Sequence, residues 1–544
     1  MAELLVGPLL RFVSETEATI WVEVDAPCEV NVLGASAPTF HVEGHHYALV
    51  VVDGLTPGTT YEYDVRLDGR RVWPEAGSDW PAPCLRTLSG GDDATVVFGS
   101  CRVAVPHEPP YTLTKDEDKE HGREIDALYA LAHRLRDLPR EDWPDLLLMI
   151  GDQVYVDEDA PKTREFIRSR RDTSRAPFEE VLDFEDYTRL YRESWTEDVI
   201  RWLLATVPTA MLFDDHDTHD DWNISEAWCN EMQRQPWWEE RIESALVSYW
   251  IYQHIGNLSP AELERRGLLA EVQAADDAGP LLRREARTAD RREGGSIWSY
   301  CRDLGRTRLV MFDSREGRVF RPQRQMNDDY EWAWVERHAT GGFQHLLLVD
   351  TLPMLMSPAF HYAEAWNEAV CAGAWGKRAA RLGEKLRRAV DLEHWAAFQF
   401  SFKRMEGLLQ AVASGERGDP PASIVMLGGD IHHAYLAAAE VPGAKSKVWQ
   451  AVCSPFRNPL DKHERVMARL GASKPAERIA RWIAKRAGVE EPAIAWRLVQ
   501  NPTFDNQFAT IELKGRSARM KIEKTVPGNW PTPKIDVTLE HDLA

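Results

Sequence analysis

No stretch of this chain is apolar enough to span a bilayer, which needs about 18 or more consecutive apolar residues. The amino terminus, MAELLVGPLLRFVSETEATIWVEV, has no basic leader, no twin arginine and no small-residue cleavage site after an apolar core. Positive charge is in deficit, with 65 Lys+Arg against 87 Asp+Glu and a formal net charge of −22. Such a field repels nucleic-acid phosphates and excludes a nucleic-acid coating role. Paired cysteine spacings are missing too. The seven cysteines are dispersed and odd in number, which excludes a disulfide framework and leads us to expect reduced thiols in the cytoplasm. There is no internal repeat and no low-complexity tract.

What is present is a 544-residue globular composition, long enough for one large catalytic domain plus smaller modules. Residues 1–90 alternate in strand fashion (ATIWVEV, CEVNVLG, YALVVV, TYEYDVRL), with turns such as DGLTPGTT between the runs, as in a β-sandwich. The segment Leu55–Tyr63 resembles one that leads into a strand of fibronectin type III-like domains. After the short linker around Ser89–Asp93 the pattern changes. TVVFGSCR, DLLLMIGDQVY, TAMLFDDHD, RLVMFDSR, FQHLLLVDT and SIVMLGGDIHH are continuous apolar runs separated by helical stretches, the mark of strands covered on both faces. These readings predict an N-terminal all-β module over 1–90 and an α/β catalytic domain over 93–530. Residues 257–295 read as a charged helical insert. Residues 457–487 read as a basic segment whose Ile479, Trp482 and Ile483 stripe packs on the domain or, alternatively, makes a weak contact with a membrane surface. The 21 tryptophans read as core packing rather than a carbohydrate platform.

Four polar clusters stand where buried strands stop: Gly99-Ser100-Cys101-Arg102, Gly151-Asp152-Gln153-Val154-Tyr155, Asp214-Asp215-His216-Asp217 and Gly428-Gly429-Asp430-Ile431-His432-His433. One Gly-Asp turn is common. Four clusters of metal-ligand residue types at strand ends point to a metal site, because gathered carboxylates repel unless a cation lies between them. Arg102, next to a candidate ligand, would either fork onto phosphate oxygens or pair with a ligand carboxylate.

Taken in order, these motifs resemble the alkaline phosphatase D family of the calcineurin-like metallophosphoesterases. The resemblance spans about residues 93–455 and reaches into the N-terminal region. It implies a four-layer α/β/β/α fold with an N-terminal fibronectin III-like domain, a binuclear or trinuclear metal centre, and phosphoester hydrolysis by a metal-activated hydroxide. Carried over by motif, Cys101, Asp152, Tyr155 and His432 form one metal shell, for which ferric iron is implied. Asp152 bridges to a second ion completed by Asp215 and Asp430, an all-oxygen set that suits Ca²⁺ and admits Mn²⁺, Mg²⁺ or Zn²⁺. The wider superfamily has Gly-Asn-His where this chain has Asp214-Asp215-His216, so Asp220 and Asp221 compete with Asp215. His216 is the candidate general acid. Asp313, Arg315 and His433 read as supporting residues, and Asn458 and Asn501 have no assigned role. The expected substrate is a small-molecule or lipid phosphoester. Two alternatives stay open: a metal-dependent hydrolase of another ester or amide, and a binding protein with a vestigial site.

Overall fold

The computed structural model describes residues 1–158, 160–291 and 297–544. It is a mixed α/β structure with an all-β N-terminal region. There, Leu4–Val13, Ala18–Val24, His45–Val52 and Phe40–Val42 pair antiparallel in one four-stranded sheet, and Ala35–Pro38, Glu29–Val32, Val65–Leu67 and Arg70–Trp73 form a second.

The strand Ala18–Val24 is buried along its whole length. Ala18, Ile20, Val22 and Val24 face the core shared by the two N-terminal sheets, whereas Trp21 joins the main core of the molecule. Period-2 alternation therefore sorts residues between two cores here, not between core and solvent. Polar groups tie the same face down. Arg11 is fully buried and its Nη2 donates to the Gln253 carbonyl at 2.7 Å and to Asn257 Oδ1 at 2.9 Å.

His45 is a second tie, bonding Glu23 at 3.1 Å through Nδ1 and Glu185 at 2.7 Å through Nε2. Burial opposes charge on the imidazole, but the two carboxylates outweigh it and raise its pKa from 6.5 to about 9. A raised folded pKa stabilises fully below the unfolded value and is lost as pH climbs through the folded one. This latch should thus contribute on the order of 1–3 kcal/mol below pH 6.5, declining toward pH 9. Melting curves of wild type and His45→Gln should converge above pH 9; a gap that persists there would refute the latch.

The larger α/β body holds two large sheets. One has the order Thr209–Leu212, Leu146–Ile150, Ala94–Gly99, Gln507–Lys514, Ser517–Thr525, Ile535–Asp542; its first three strands are parallel and the rest antiparallel. The other has seven strands, with Thr307–Met311, His345–Val349, Ser423–Gly428 and Lys447–Val452 parallel at its centre. In these central strands Leu309, Leu347, Val349, Val425 and Leu427 join the core of the first sheet. Their chain neighbours Val310, Leu346, Leu348, Ile424 and Met426 join a second core with Trp332, Trp395, Phe398 and Phe402. Burial on both faces explains why these strands read as unbroken apolar runs.

Helices Pro260–Arg266, Leu268–Ala274 and Gly279–Asp290 occupy the charged insert, whose residues 292–295 lie outside the described ones. The basic segment forms helices Lys462–Gly471 and Lys474–Arg486. Its stripe corrects the packing expectation. Ala484 is buried, but Ile479 and Trp482 are 60% and 56% exposed, with Val466, Met467 and Leu470 also facing outward. The helix lies on Pro358–Cys371 with Ala484 buried and Ile483 half-buried, while Ile479 and Trp482 face outward.

Candidate metal centre

Each of the four clusters follows the carboxyl end of a strand, and the turns interlock through the backbone. Cys101 N donates to the Gly151 carbonyl and Arg102 N to the Asp152 carbonyl, both at 3.1 Å; Asp430 N donates to Ser100 Oγ at 3.0 Å. Such close approach requires glycine at position 429, where a Cβ would run into Ser100 Oγ. Cys101, Asp152, Asp430 and His432 all have left-handed backbones, with φ of 59°, 53°, 66° and 51°. This region costs non-glycine residues about 1 kcal/mol or more, and its concentration on four candidate ligands is the pattern of a functional site.

Asp152, Asp214, Asp215 and Asp430 each bring a carboxylate oxygen within 4.8 Å of the other three. Asp215, His216 and Asp220 form an adjoining group by the same measure. Burial, reinforced by Asp215, Asp217 and Asp430, pushes the Asp152 carboxyl well above the usual carboxylate range, although His216 opposes it. Burial likewise raises Asp214, against the pull of Arg315. Burial opposes charge on Asp430 too, yet a hydrogen bond from His394 and the Arg315 guanidinium hold its carboxyl well below the ordinary range. Among the described residues, Asp152 Oδ1 and Asp214 Oδ2 are buried without a hydrogen-bond partner. Orphaned buried oxygens in an over-negative cluster fit cations as their missing partners.

The remaining donors surround this core. Tyr155 Oη donates to Asp152 Oδ2 at 3.2 Å, and Cys101 Sγ lies 3.6 Å from the Asp430 carbonyl. Cys101 and Tyr155 pack in one small buried cluster. Burial and then Asp152 push both the thiol and the phenol upward, so neither would ionise here without a cation. Burial lowers His432 to about 3, which keeps the imidazole neutral and able to ligate. His433 turns to the Ile431 carbonyl at 2.7 Å. Asp220 lies at the solvent edge, its Oδ1 3.8 Å from His216 Nε2. His216 is held from two sides: Asp157 bonds Nδ1 at 2.8 Å, and the Tyr155 ring stacks on it at 4.4 Å.

Arg102 is not brought to the cluster. Its Nε donates to Asp126 at 2.7 Å and its Nη1 to the Ser194 carbonyl at 2.9 Å, all buried, so it has no fork to offer a phosphate. The carboxylate that Asp126 provides is a helix cap rather than a ligand candidate. The arginine that does reach the cluster is Arg315, which sequence reasoning left as a supporting residue. It donates to Asp214, to Asp215 at 3.0 Å, to Asp430 at 3.3 Å and to Glu393 at 2.6 Å. Asp313 shapes the turn that aims it, accepting from the Arg315, Glu316 and Gly317 amides.

Asp214, Glu393 and His394 were missed as members of this site. His394 bonds Asp430 at 3.1 Å and Glu364 at 2.6 Å, an outer carboxylate–imidazole pair that orients Asp430. Asp214 had a signal in its adjacency to Asp215. Glu393 and His394 stand in the short connection between Lys377–Ala389 and Trp395–Ala397, with no strand-end pattern to reveal them.

A family model described as PhoD-like phosphatase matches residues 130–478, and one described as a domain of unknown function (DUF7800) matches residues 1–85. No curated protein matches the chain. Among solved structures, one titled "Structure of PhoD" superposes with a TM-score of 0.59 at 13% sequence identity, covering 98% of this chain and 89% of that one. The family model takes in well over half of the sequence, and the chain belongs to the PhoD-like phosphatase family.

Proposed function

We propose that this chain hydrolyses phosphomonoesters or phosphodiesters of small molecules or lipids with the aid of bound metal ions. The observation that carries this reading is the buried group Asp152, Asp214, Asp215 and Asp430, with two partnerless carboxylate oxygens and one guanidinium among four acids. Cys101, Asp152, Tyr155 and His432 would hold one ion, with Fe³⁺ the proposed occupant. Asp152, Asp215 and Asp430 would hold another, with Ca²⁺ proposed and Mn²⁺, Mg²⁺ or Zn²⁺ as alternatives. Asp214 adds an oxygen to the second set, and Asp220 stands ready at the edge for a third ion. When bound, such ions supply a water of lowered pKa and neutralise charge on phosphoryl oxygens.

The chain's own groups do the rest. Arg315 holds three carboxylates of the cluster and Glu393 in register. Asp157 takes the Nδ1 hydrogen bond of His216, which leaves Nε2 to present a proton to the departing oxygen. We propose a four-layer α/β/β/α order for the catalytic domain, supported by the sharing of the central strands between two cores; its first sheet includes Ile535–Asp542, which carries the domain past the end expected at residue 530. With it goes a fibronectin III-like domain over 1–90. A cytoplasmic location is supported by the seven free cysteines, and recovery of the protein from an exported fraction would overturn it. Exposed Ile479 and Trp482 on a basic helix support a weak membrane-surface contact. Wild-type protein that failed to float with anionic vesicles would remove that contact.

The function is tested by screening purified protein on p-nitrophenyl phosphate, bis-p-nitrophenyl phosphate and a nitroanilide, with metal content measured in parallel. Turnover of a phosphoester by metal-loaded protein is expected. Turnover of the anilide alone would replace the reading with an amidase.

A further inference from the structure

A cleft of about 1080 Å³ opens between the helix Lys377–Ala389, the start of Gln399–Ser414 and the loop around Arg321–Arg324. None of its lining residues belongs to the acidic cluster. In a chain of net charge −22, six basic side chains line it against three glutamates. At its inner wall sit two arginines with hydrogen-bonding capacity left over. Arg387 is 3% exposed; its Nε and Nη1 are used by Asn367 and Glu384, while its Nη2 has no partner among the described residues. Arg324 donates through Nη2 to the Ile224 carbonyl at 2.9 Å and stacks over Phe398 at 4.2 Å, but its Nε and Nη1 are sealed from bulk water without a partner. Burial and then the nearby Arg387 lower the Arg324 pKa, outweighing the opposing pull of Glu368 and Glu384. At the rim, Arg381 and Lys385 stand one helical turn apart and have no ion-pair partner among the described residues.

Two neighbouring like-charged guanidiniums with three unpartnered nitrogens among the described residues are unfavourable unless an anion joins them. We propose that this cleft is a second anion site, separate from the metal centre, that binds a phosphoryl group. One fork matches a carboxylate, but two guanidiniums flanked by the further cations Arg381 and Lys385 suit the several oxygens and double charge of a phosphoryl group. Nearby glutamates do not fill the role. Glu384 is taken by Arg387 and Ser225, and Glu368 accepts the Gln399 amide. Burial raises Glu368 to about 7, leaving its carboxyl partly protonated near neutrality. The strip Asp221–Ser225 runs from the centre to the cleft. Asp221 N donates to Asp215 at 3.1 Å, Arg324 holds the Ile224 carbonyl, and Ser225 lines the cleft.

The test is calorimetric titration of full-length, metal-loaded protein with inorganic phosphate, alongside binding to phosphatidylcholine vesicles with and without phosphatidic acid. Arg324→Gln should lose one class of phosphate site, with affinity there falling about tenfold or more. Its kcat/KM on p-nitrophenyl phosphate should stay within about twofold, since Arg324 touches no residue of the cluster. Lys385→Gln, at the exposed rim where folding is not at stake, should weaken the same site severalfold. Phosphate binding without vesicle capture assigns the site to a soluble phosphoester. Capture by phosphatidic acid vesicles that Arg324→Gln abolishes assigns it to a lipid headgroup. Unchanged titrations in both variants would overturn the proposal, and so would phosphate binding and turnover lost in equal proportion, since both would then belong to one site. The phosphate titration stands whether or not the chain proves hydrolytic.

Discussion

Asp152→Asn is expected to strip most of the bound metal and to lower kcat by orders of magnitude, beyond the ~10–100-fold that loss of an outer partner costs. The carboxylate follows the strand Leu146–Ile150 in a left-handed turn, with Oδ2 on Tyr155 and Oδ1 bare. Asparagine keeps the volume and removes the charge that two ions would share. The same substitution should have the opposite effect on metal-free protein. Burial and neighbouring acids already disfavour the ionised Asp152, so its charge costs the empty fold stability at neutral pH. Metal-stripped Asp152→Asn should therefore melt no lower than metal-stripped wild type. Native metal stoichiometry with near-native turnover in the variant would end the bridging assignment.

His216→Ala should keep its metal and lose activity according to the leaving group. An aryl phosphate releases a weakly basic phenolate and needs little protonation, so its loss should fall short of the roughly 10²–10⁴-fold of general acid catalysis. An alkyl phosphate should show the whole loss, because an alkoxide does not leave unassisted. The imidazole is suited to this by its supports: Asp157 fixes Nδ1 and Tyr155 fixes the ring plane. Asp157→Asn should reproduce the leaving-group dependence in weaker form, since it disturbs orientation and leaves the imidazole in place. Comparison of kcat/KM for p-nitrophenyl phosphate and an alkyl phosphate checks both variants. Equal losses on the two substrates, or missing metal, would make His216 a ligand or a scaffold residue.

The two arginines show where local reading stops. Arg102 adjoins Cys101 in the chain, yet the turn at Cys101 sends its guanidinium to Asp126 and Ser194. Arg315 is a hundred residues or more from the aspartates it holds, and Asp214 and Asp215 follow a strand of the other sheet, so the packing of one sheet on the other brings it to them. The stripe of the 457–487 segment shows the same limit. Its 3.6-residue period is real, but the period names a face and not the neighbour that covers it.

By itself the sequence determined the doubly covered strands up to Ser423–Gly428, because a run buried on both faces must be apolar throughout, but it left unread the C-terminal strands Gln507–Lys514, Ser517–Thr525 and Ile535–Asp542. It determined the strand-end clusters as well, since a polar group set at the end of such a run is a local pattern. Tertiary structure alone decided which charges meet. Arg315 and His394 reach the aspartates from separate segments, with Glu393 held on Arg315, and Arg324 and Arg387 line one cleft from chain segments some sixty residues apart. The reason is physical. Hydrophobic periodicity is set by each element's own geometry, whereas pairing of buried charges depends on how elements pack, and no local spacing encodes that.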